Sequence, residues 1–491
     1  MSPMRKAKIV CTIGPATSGE RHLKALIENG MDVARLNFSH GDRAFHGDVI
    51  DKIRRISQQS GKNVAILQDL QGIKIRVGRL KNQKIRLVKG ERLVVKAGEG
   101  VGDEKRLFVS YPWLIDDAKP GDTIMLDDGL MALRVTEKQR RALIAEVLEG
   151  GILKEHKGVN LPRMKIKPGS FMEKDKNDLE FGIQKAVDFV ALSFVRSPAD
   201  VKVVRRWLLR RKAGIPLIAK IEKEEAIGNI DGILKEVDGI MVARGDLGVE
   251  MPLEEVPMFQ KMLIERANLA GRLVITATQM LESMTQNPRP TRAETTDVAN
   301  AVIDGTDALM LSGETSVGRY PIEALKVMDR IIAYTESNTP APIPKRRSTD
   351  KSGSIDETVA FPEAIAHAAS RAAEDVRAKW IVAFTRSGFT ARLISKYKPQ
   401  TPVVAFSPET RIVREMALYW GVVARPVRRL ENTDDMISEV DGLLVKAGQA
   451  APGDRVVVVG SHPPAISGKT NFLKIHEVGS GREGYPNLPV M

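Results

Sequence analysis

Four short apolar segments of this chain end in residues that a protein core disfavours. The segments have the length of buried strands and lie at residues 217–222, 240–246, 273–279 and 308–314. The chemically reactive residues at or near their ends are Lys220, Glu222, Asp246, Thr278 and Ser312. Burying a lysine or a carboxylate is costly unless the charge is paired or bound to a metal ion. We therefore expect these strand ends to carry chemistry rather than stability.

Strand-like and helix-like segments alternate along the first two thirds of the chain. Eight segments predict strands, at residues 8–13, 32–38, 63–69, 189–195, 217–222, 240–246, 273–279 and 308–313. Helical spacing of Leu, Ile, Val and Met predicts helices at residues 22–29, 45–59, 199–211, 254–270 and 322–334. Strict alternation implies parallel strands, so the fold class is α/β and eight repeats predict a closed (β/α)8 TIM barrel.

The interval between the third and fourth predicted strands is too long for a single helix. Residues 71–167 contain β-branched runs at 84–88, 92–95, 123–126 and 142–147, separated by turn signals such as Pro120-Gly121-Asp122. This pattern predicts a small all-β domain inserted after strand three. Because the carboxyl ends of barrel strands form the mouth of the barrel, the insertion would lie over that mouth as a lid.

After the barrel, which we assign to residues 1–70 and 168–340, the composition changes twice. Residues 341–360 are rich in Pro, Ser and basic residues and predict a linker. Residues 361–491 predict a C-terminal regulatory domain with an open α/β sheet. Its predicted helices are 363–376, 390–397 and 410–418, and its predicted strands are 380–384, 403–406, 422–424 and 456–459.

Composition narrows the functional classes. The formal net charge of +13 over 491 residues is spread along the chain without interleaved aromatic residues, so we do not expect a nucleic-acid partner. No run reaches the roughly 18 apolar residues of a membrane span, and residues 1–7 lack the apolar core of a signal peptide. The single cysteine, Cys11, rules out an internal disulfide framework. We expect a cytoplasmic protein without a membrane partner.

A barrel would bring the strand ends together at one mouth. Two carboxylates, Glu222 and Asp246, have no nearby His or Cys, which suits a hard cation such as Mg²⁺ or Mn²⁺. Lys220 lies two residues before Glu222 on the same strand face, so it would stabilise a developing anion such as an enolate. A Schiff-base lysine, a structural ion pair and two surface carboxylates remain the alternatives. The polar residues expected at the mouth are Arg35, Asn37, Ser39, Asp69, Lys220, Glu222, Asp246, Thr278 and Ser312.

Two loops have the composition of anion-binding sites. Residues 243–248 place two glycines around Asp246 directly after a strand, where backbone N–H groups can approach a ligand closely. A loop of the last domain combines hydroxyl groups with a guanidinium between a strand and a helix. Its candidate residues are Thr385, Arg386, Ser387 and Thr390. The alternative for this second loop is an ordinary helix N-cap at Ser387 or Thr390.

Seven motifs occur in an order that matches a known family. They lie at residues 12–15, 35–41, 219–222, 241–250, 276–284, 287–294 and 310–315. On these motifs the chain resembles the pyruvate kinase family over essentially its whole length. The resemblance implies transfer of a phosphoryl group from phosphoenolpyruvate to ADP, giving pyruvate and ATP in glycolysis, with Mg²⁺ or Mn²⁺ as cofactor. It also implies a homotetramer.

The resemblance also implies roles for the residues that match the family motifs. Lys220 would stabilise the moving phosphoryl group, and Arg35 would bind the phosphate. Glu222 and Asp246 would hold the divalent ion.

For the rest of the site, the resemblance implies contacts with the organic part of the substrate and with the nucleotide. The backbone amides of Gly245 and Asp246, together with Thr278, would bind the pyruvate carboxylate. Thr278 and Ser312 would border the face on which the enolate is protonated. The residues expected at the nucleotide are Arg76, Lys157, Asn37 and His40.

One position departs from the pattern of many relatives. Lys74 stands where they carry a Glu beside a bound K⁺, and with Leu70, Gln71 and Val77 it matches the subgroup that, by the resemblance, needs no K⁺. A fixed ammonium would replace the monovalent cation, so we predict activity without K⁺. Asn37, Ser39 and Asp69 would still be able to ligate K⁺, and with Leu70 they form the expected monovalent-cation region.

In relatives, the last domain binds a sugar-phosphate activator at a loop like residues 385–390, so we predict allosteric activation. The facing loop, residues 460–469, lacks the Trp and Arg pattern of fructose-1,6-bisphosphate binders. A monophosphate such as glucose 6-phosphate or ribose 5-phosphate is therefore the expected effector. Two other functions stay open on sequence: a divalent-metal lyase or aldolase acting on pyruvate enolate, and a non-enzymatic sensor of sugar phosphates.

Overall fold

Eight parallel strands close into a barrel. The computed structural model describes residues 4–162, 164, 171–339, 357–429, 432–461 and 470–480. Barrel strands one to eight are Lys8–Ile13, Val33–Asn37, Ala65–Asp69, Phe189–Leu192, Leu217–Ile221, Gly239–Ala243, Leu273–Ala277 and Ala308–Leu311. Each strand pairs with its neighbours in sequence order, and strand eight pairs with strand one. The predicted TIM barrel is confirmed.

Several barrel strands end earlier than the sequence predicted. Strand six stops at Ala243, and Asp246 lies on the helix Arg244–Glu250, so its placement on a strand was wrong. Strand seven stops before Thr278 and Gln279, because φ angles of 67° and 53° at these residues are incompatible with extended backbone. The segments predicted at 189–195, 217–222 and 308–314 are likewise shorter and end at 192, 221 and 311. Glu222, Thr278 and Ser312 therefore lie just beyond the strands, whereas Lys220 remains on strand five.

Helices surround the barrel and bury their apolar faces against it. They are Glu20–Glu28, Arg43–Ser60, Glu173–Gln184, Pro198–Arg210, Glu224–Gly228, Ile230–Glu236, Arg244–Glu250, Val256–Leu269, Arg292–Asp304, Gly313–Ser316 and Pro321–Asn338, with 3₁₀ turns at Leu253–Glu255 and Glu282–Thr285. Residues such as Leu23, Leu26 and Ile27 pack into one large core with the outward-facing strand residues. Within the described part of the chain, no helix combines the length and hydropathy that a membrane crossing requires.

The inserted lid lies between barrel strands three and four. Its strands are Arg79–Leu80, Lys84–Leu87, Arg92–Ala97, Val101–Gly102, Arg106–Val109, Thr123–Leu126, Met131–Gln139, Ala142–Glu149, Gly151–Lys154 and Val159–Asn160, with a 3₁₀ turn at Lys81–Gln83 and a short helix at Leu114–Asp117. Six of these strands form one sheet, and the other four form two short ribbons. The lid has an apolar core of its own, in which Leu93, Val95 and Leu107 are buried. The predicted all-β insertion is confirmed.

The C-terminal domain contains the predicted open α/β sheet. Its strands are Trp380–Phe384, Val403–Ser407, Val422–Pro426, Arg455–Gly460 and Phe472–Glu477, and its helices are Glu357–Asp375, Phe389–Lys396, Thr410–Glu415 and Thr433–Lys446, with a 3₁₀ turn at Met416–Leu418. The first helix begins six residues earlier than predicted and includes Pro362, so it takes the last four residues of the predicted linker. The rest of that linker, residues 341–356, lies outside the described residues. The helix at 433–446 and the antiparallel edge strand at 472–477 were missed from sequence.

The amino ends of the barrel strands repeat one hydrogen-bonded unit four times. An aspartate directly precedes each even-numbered strand, and these residues are Asp32, Asp188, Asp238 and Asp307. Each aspartate donates its N–H to a carbonyl at the start of the preceding odd-numbered strand and accepts the N–H of the same residue on its carboxylate. The partners are Ile9, Ile66, Leu217 and Val274, with donor–acceptor distances of 2.8–3.1 Å. Strands are thereby joined in pairs at the floor of the barrel.

Cations of the C-terminal domain complete three of these units. Arg414, Arg392 and Lys398 face Asp188, Asp238 and Asp307, respectively. The side chain of Asp188 is fully buried, and its carboxylate lies 2.7 Å from Arg414 Nε and 2.8 Å from Arg54 Nη2. A buried carboxylate without its counter-charge is strongly destabilising. The barrel floor and the C-terminal domain therefore stabilise each other through these carboxylates.

We expect Asp188→Asn to destabilise the protein, because a neutral amide leaves Arg54 and Arg414 without their shared counter-charge. The expected loss is roughly 3–5 kcal/mol, as measured for other buried pairs broken on one side. Urea denaturation followed by circular dichroism measures it. Glu20→Gln is the matched control, because its ion pair with Arg55 is more than half exposed and is expected to contribute under about 1 kcal/mol. Equal urea midpoints of unfolding for the two variants would contradict the claim that the ion pairs of Asp188 stabilise the protein.

Candidate active site

A cavity of about 270 Å³ lies between the barrel mouth and the lid. Eight of the residues predicted from sequence line it: Arg35, Asn37, Ser39, His40, Lys74, Lys220, Glu222 and Asp246. The lid contributes Asp128 and Asn160 to the same wall. Six of the eight were expected at the barrel mouth from their positions at strand ends, and His40 and Lys74 were expected near the nucleotide and the monovalent cation.

The Lys220 ammonium is the best-connected cation of this cavity. Its Nζ lies 2.7 Å from Glu222 Oε1 and 3.5 Å from Asp69 Oδ1, and it donates a hydrogen bond of 2.9 Å to Ser193 Oγ. Burial acts to lower the pKa of Lys220, but attraction to Asp69 and Glu222 outweighs it and raises the pKa. Lys220 is therefore charged at neutral pH. A Schiff base requires the free amine, so this charge state weighs against that alternative.

Asp69 holds two cations in place below the cavity. Arg35 contacts Asp69 Oδ2 through Nε at 2.8 Å and Nη2 at 2.6 Å, and its Nη1 donates to Thr12 Oγ1 at 2.9 Å. Burial acts to raise the pKa of Asp69, but Lys220 and Arg35 overcome this effect and lower it. The carboxylate therefore stays ionised and fixes both Arg35 and Lys220. Because Arg35 and Lys220 contact the same carboxylate, Asp69 fixes the position of one cation relative to the other.

The carboxylates of Glu222, which is buried, and Asp246, which is half-buried, form a pair in which ionisation of both groups at once is disfavoured. Burial raises the pKa of Glu222 to about 7, and repulsion by Asp246 adds to this effect while Lys220 opposes it. Burial likewise raises the pKa of Asp246, again opposed by Lys220. Glu222 Oε2 also accepts the Phe194 N–H at 2.7 Å, which fixes its orientation.

This pair has the chemistry of a site for a hard divalent cation, which would relieve the repulsion between its carboxylates. Among the described residues, no cluster of three or more His, Cys, Asp or Glu side chains is arranged to hold a metal ion. A cation between Glu222 and Asp246 would therefore take its other ligands from water and substrate. Mg²⁺ binds in this way, whereas a structural zinc site does not.

A strained turn beside Asp246 presents a backbone amide and a hydroxyl. The Gly245 N–H donates to Thr278 Oγ1 at 2.8 Å, and Thr278 has a left-handed φ of 67°. Arg244 holds the turn by donating to the carbonyls of Thr278 at 2.8 Å and Gln279 at 3.0 Å. A Cβ at position 245 would lie 3.3 Å from Thr278 Oγ1, so glycine allows this close approach.

Seven residues expected at the site do not line the cavity: Asp69, Leu70, Arg76, Lys157, Gly245, Thr278 and Ser312. The Ser312 N–H donates to Glu314 Oε2 at 2.7 Å, and its buried hydroxyl has no hydrogen-bond partner among the described residues. Arg76 donates to the His156 carbonyl at 2.6 Å, and Lys157 pairs with Asp127 at 2.7 Å. Both lid residues lie next to Gly158, which does line the cavity.

The residues of the predicted monovalent-cation region divide between the cavity and the core. Asn37 Oδ1 accepts the Ser39 N–H at 3.0 Å, whereas Leu70 is buried and its carbonyl accepts from Ser193 Oγ at 2.8 Å. The Lys74 ammonium faces the cavity, and burial, followed by repulsion from Arg76, lowers its pKa. Burial and then the neighbouring cations also lower the pKa of His40, so its imidazole is neutral at pH 7.

Sequence reasoning missed a contact that links the lid to the barrel. Asn160 of the lid donates to Glu250 Oε1 at 3.4 Å, and Glu250 forms a buried ion pair with Lys223. Glu250 ends the helix that carries Gly245 and Asp246. The sequence offered one signal for this contact, since Lys223 is a charged residue directly after Glu222. The sequence did not indicate that Glu250 would pair with Lys223 and contact Asn160 of the lid.

The predicted effector loop lies in front of the helix Phe389–Lys396. Gly388 has a φ of 78° there, Thr385 is buried, and Ser387 is exposed. Thr390 Oγ1 lies 2.8 Å from Thr470 Oγ1, which ties the loop to the end of the facing segment. Residues 462–469 of that facing segment lie outside the described residues.

Comparisons with known proteins agree with this arrangement. The family model described as "Pyruvate kinase, barrel domain" matches residues 4–325, and the model described as "Pyruvate kinase, alpha/beta domain" matches residues 363–476. The pyruvate kinase of Clostridium perfringens is 44% identical over 478 residues, covering 97% of this chain and 100% of that protein. That of Mycobacterium tuberculosis is 44% identical over 475 residues, covering 97% and 99%. A crystal structure of a pyruvate kinase from Cryptosporidium parvum aligns with a TM-score of 0.89 and 36% identity, covering 96% of each chain.

Proposed function

The chain belongs to the pyruvate kinase family and is a phosphotransferase, and we propose that its barrel-mouth cavity transfers the phosphoryl group of phosphoenolpyruvate to ADP. The observation that carries this proposal is the Lys220 ammonium, held by Asp69, Ser193 and Glu222 beside a second carboxylate, Asp246. Transfer of a phosphoryl group requires fixed positive charge around its oxygens, and little covalent chemistry from the protein. The lyase, aldolase and sensor hypotheses have no support from the relatives.

In this proposal, one set of cavity residues contacts the phosphate of the substrate and another set holds the divalent ion. Arg35 and Lys220 contact the phosphate, and Glu222 and Asp246 hold the Mg²⁺ that members of this family generally use. When bound, that ion would neutralise phosphate charge and orient the oxygens around the transferred group. Because Arg35 and Lys220 already share Asp69, they need little reorganisation when the phosphate arrives.

The carboxylate of the substrate would replace a contact that the protein makes with itself. Thr278 Oγ1 accepts the Gly245 N–H, so a bound carboxylate would take that N–H and the neighbouring amide of Asp246. The Thr278 hydroxyl, which donates to the Ala277 carbonyl at 2.6 Å, would then turn and donate to the same carboxylate. Thr278 and Ser312 would border the face on which the enolate is protonated.

The nucleotide would lie under the lid. Arg76, Lys157, Asn37 and His40 are the proposed nucleotide residues. Lys157 must exchange Asp127 for a phosphate oxygen, which is feasible because this ion pair is partly exposed and weak. A lid closure that brings Lys157 toward the cavity accounts for its position outside the cavity wall.

We expect Lys220→Met to abolish turnover while leaving the substrate bound. The variant lacks the ammonium that stabilises charge in the transition state, so kcat should fall by at least about a thousandfold. A coupled assay of ATP formation from phosphoenolpyruvate and ADP measures kcat, and titration calorimetry measures binding of phosphoenolpyruvate. Lys24→Met is the control, because Lys24 is exposed on an outer helix and pairs only with Glu28. A Lys220→Met enzyme with near-normal kcat would refute the assignment.

We further propose that the enzyme works without K⁺ because Lys74 supplies the positive charge. Two groups that could ligate K⁺ are already engaged: the Leu70 carbonyl by Ser193 and Asp69 Oδ2 by Arg35. The Lys74 ammonium faces the same cavity and is attracted by Asp128 and Asp246.

We expect the parent rate to change less than about twofold when tetramethylammonium replaces K⁺ in the assay, since the required charge is covalently attached. We expect Lys74→Glu to become strongly K⁺-dependent, because the substitution removes the ammonium and adds a carboxylate. Initial rates in both buffers provide the measurement. A parent enzyme that K⁺ activates tenfold or more would contradict the proposal.

We also propose that a sugar monophosphate activates the enzyme at Thr385, Arg386, Ser387 and Thr390, and that the chain forms a cytoplasmic homotetramer. Hydroxyl groups and backbone N–H groups before the helix Phe389–Lys396 suit a phosphate dianion. The tetramer and the location rest on the family resemblance.

We expect glucose 6-phosphate or ribose 5-phosphate to lower the half-saturating concentration of phosphoenolpyruvate several-fold, and Thr385→Ala to lose this response because it removes a phosphate contact. Steady-state curves with a panel of sugar phosphates test both points. Thr296→Ala, an exposed threonine on a barrel helix, is the control and should respond normally. If no sugar phosphate shifts the parent curve, the effector proposal is wrong.

A further inference from the structure

A serine that the sequence pattern did not single out is bonded directly to the Lys220 ammonium. Ser193 follows barrel strand four and is 4% exposed. Its Oγ donates to the Leu70 carbonyl at 2.8 Å and accepts from Lys220 Nζ at 2.9 Å. We propose that Ser193 is a positioning residue, which aims the Lys220 ammonium at the transferred phosphoryl group. This inference rests on the proposed function of the cavity.

The direction of the two hydrogen bonds follows from the chemistry of a hydroxyl group. Serine has one proton to donate and two lone pairs to accept with. The Leu70 carbonyl at 2.8 Å is a much closer acceptor for this proton than Asp69 Oδ1 at 3.5 Å, so the proton goes to Leu70 and the lone pairs are left for Lys220. The Leu70 carbonyl is itself fixed, since the Leu70 N–H donates to the Ala191 carbonyl at 3.0 Å. The acceptor that faces Lys220 is therefore oriented by the backbone of strands three and four.

Packing restricts the Ser193 side chain further. A Cβ at Gly72, whose φ is 64°, would lie 3.2 Å from Ser193 Cβ and 3.0 Å from the Phe194 ring. The backbone of Gly72 therefore packs closely against this serine, and the Gly72 N–H is held by Asp175 at 3.0 Å. A side chain confined in this way keeps one rotamer, which a positioning residue requires.

Ser193 differs from the other two acceptors of Lys220 in carrying no charge. Glu222 and Asp69 orient the ammonium but also neutralise it, which weakens its attraction for a phosphate. A neutral hydroxyl fixes the direction of one N–H and leaves the positive charge available. Glu222 is also a proposed ligand of the divalent ion, so its pairing with Lys220 weakens when that ion binds. Ser193 then remains as the uncharged contact that holds the ammonium in place.

The test compares Ser193→Ala and Ser193→Cys with the parent enzyme in the ATP-forming assay. Loss of one hydrogen bond to a charged group that acts in the transition state should lower kcat about 10- to 100-fold. The KM for phosphoenolpyruvate should change less than about threefold, because Arg35 and the carboxylate contacts remain. The cysteine variant should resemble the alanine variant, since sulfur is a poor acceptor although it fills the space of the hydroxyl.

Ser395→Ala is the matched control for a purely structural effect. Ser395 is 3% exposed and donates to the Trp420 carbonyl at 2.7 Å, so it loses the same kind of bond far from Lys220. Its kcat should stay at the parent value. Thermal denaturation establishes that each variant is folded, and the cysteine variant alone decides the question if the alanine variant does not fold.

Three results would overturn the inference: a kcat within twofold of the parent for Ser193→Ala, a cysteine variant with the parent kcat, or a raised KM with unchanged kcat. An active parent with any of these results leaves the proposed function intact and rejects only the role of Ser193. A parent that forms no ATP would reject the proposed function and this inference together.

Discussion

One buried ammonium group determines the arrangement of the site. Lys220 stays charged inside the protein because Asp69 and Glu222 lie within 3.5 Å of it. Each of these carboxylates would be costly to bury without the lysine, and the lysine would be costly without them. Asp69 in turn fixes Arg35, while burial raises the pKa values of both Glu222 and Asp246, and repulsion by Asp246 adds to the shift of Glu222. The cavity is thus lined by charges that depend on one another for their ionisation and position.

The two ends of the barrel treat buried charge differently. At the floor, the carboxylate of Asp188 is closed off between strand backbone and two arginines, which satisfies it completely. At the mouth, repulsion from Asp246 adds to the effect of burial in raising the pKa of Glu222, and Lys220 and Arg35 both contact Asp69. Barrels commonly separate stability at the amino ends of the strands from chemistry at the carboxyl ends. In this chain, the separation of stability from chemistry follows the pairing of charges: the carboxylate of Asp188 at the floor is fully paired, whereas the carboxylates at the mouth still repel each other.

Sequence reasoning succeeded where a local pattern of residues determines the secondary structure. The apolar runs before Lys220 and Glu222 predicted strands, and the alternation of strands and helices predicted the barrel that brings their ends together. It failed where the backbone changes direction: Asp246 lies on a helix, and Thr278 lies in a left-handed turn that contacts with Arg244 and Gly245 stabilise. Ser193 was missed because an isolated serine has no pattern, and its importance comes from Leu70 and Lys220, which are distant in sequence. The edge strand at 472–477 was missed for a similar reason, since its pairing with strand 455–460 decides its conformation.

The central claim is that Lys220 and a divalent ion held by Glu222 and Asp246 together neutralise one phosphate. The most direct measurement is anomalous X-ray scattering from crystals of the parent protein grown with Mn²⁺ and a non-reactive analogue of phosphoenolpyruvate. The account predicts one strong peak at about 2.0–2.3 Å from an oxygen of each carboxylate. It also predicts a phosphate oxygen of the analogue at hydrogen-bonding distance, roughly 2.7–3.2 Å, from Lys220 Nζ. A metal bound away from these carboxylates, or an analogue whose phosphate does not contact Lys220, would contradict the account.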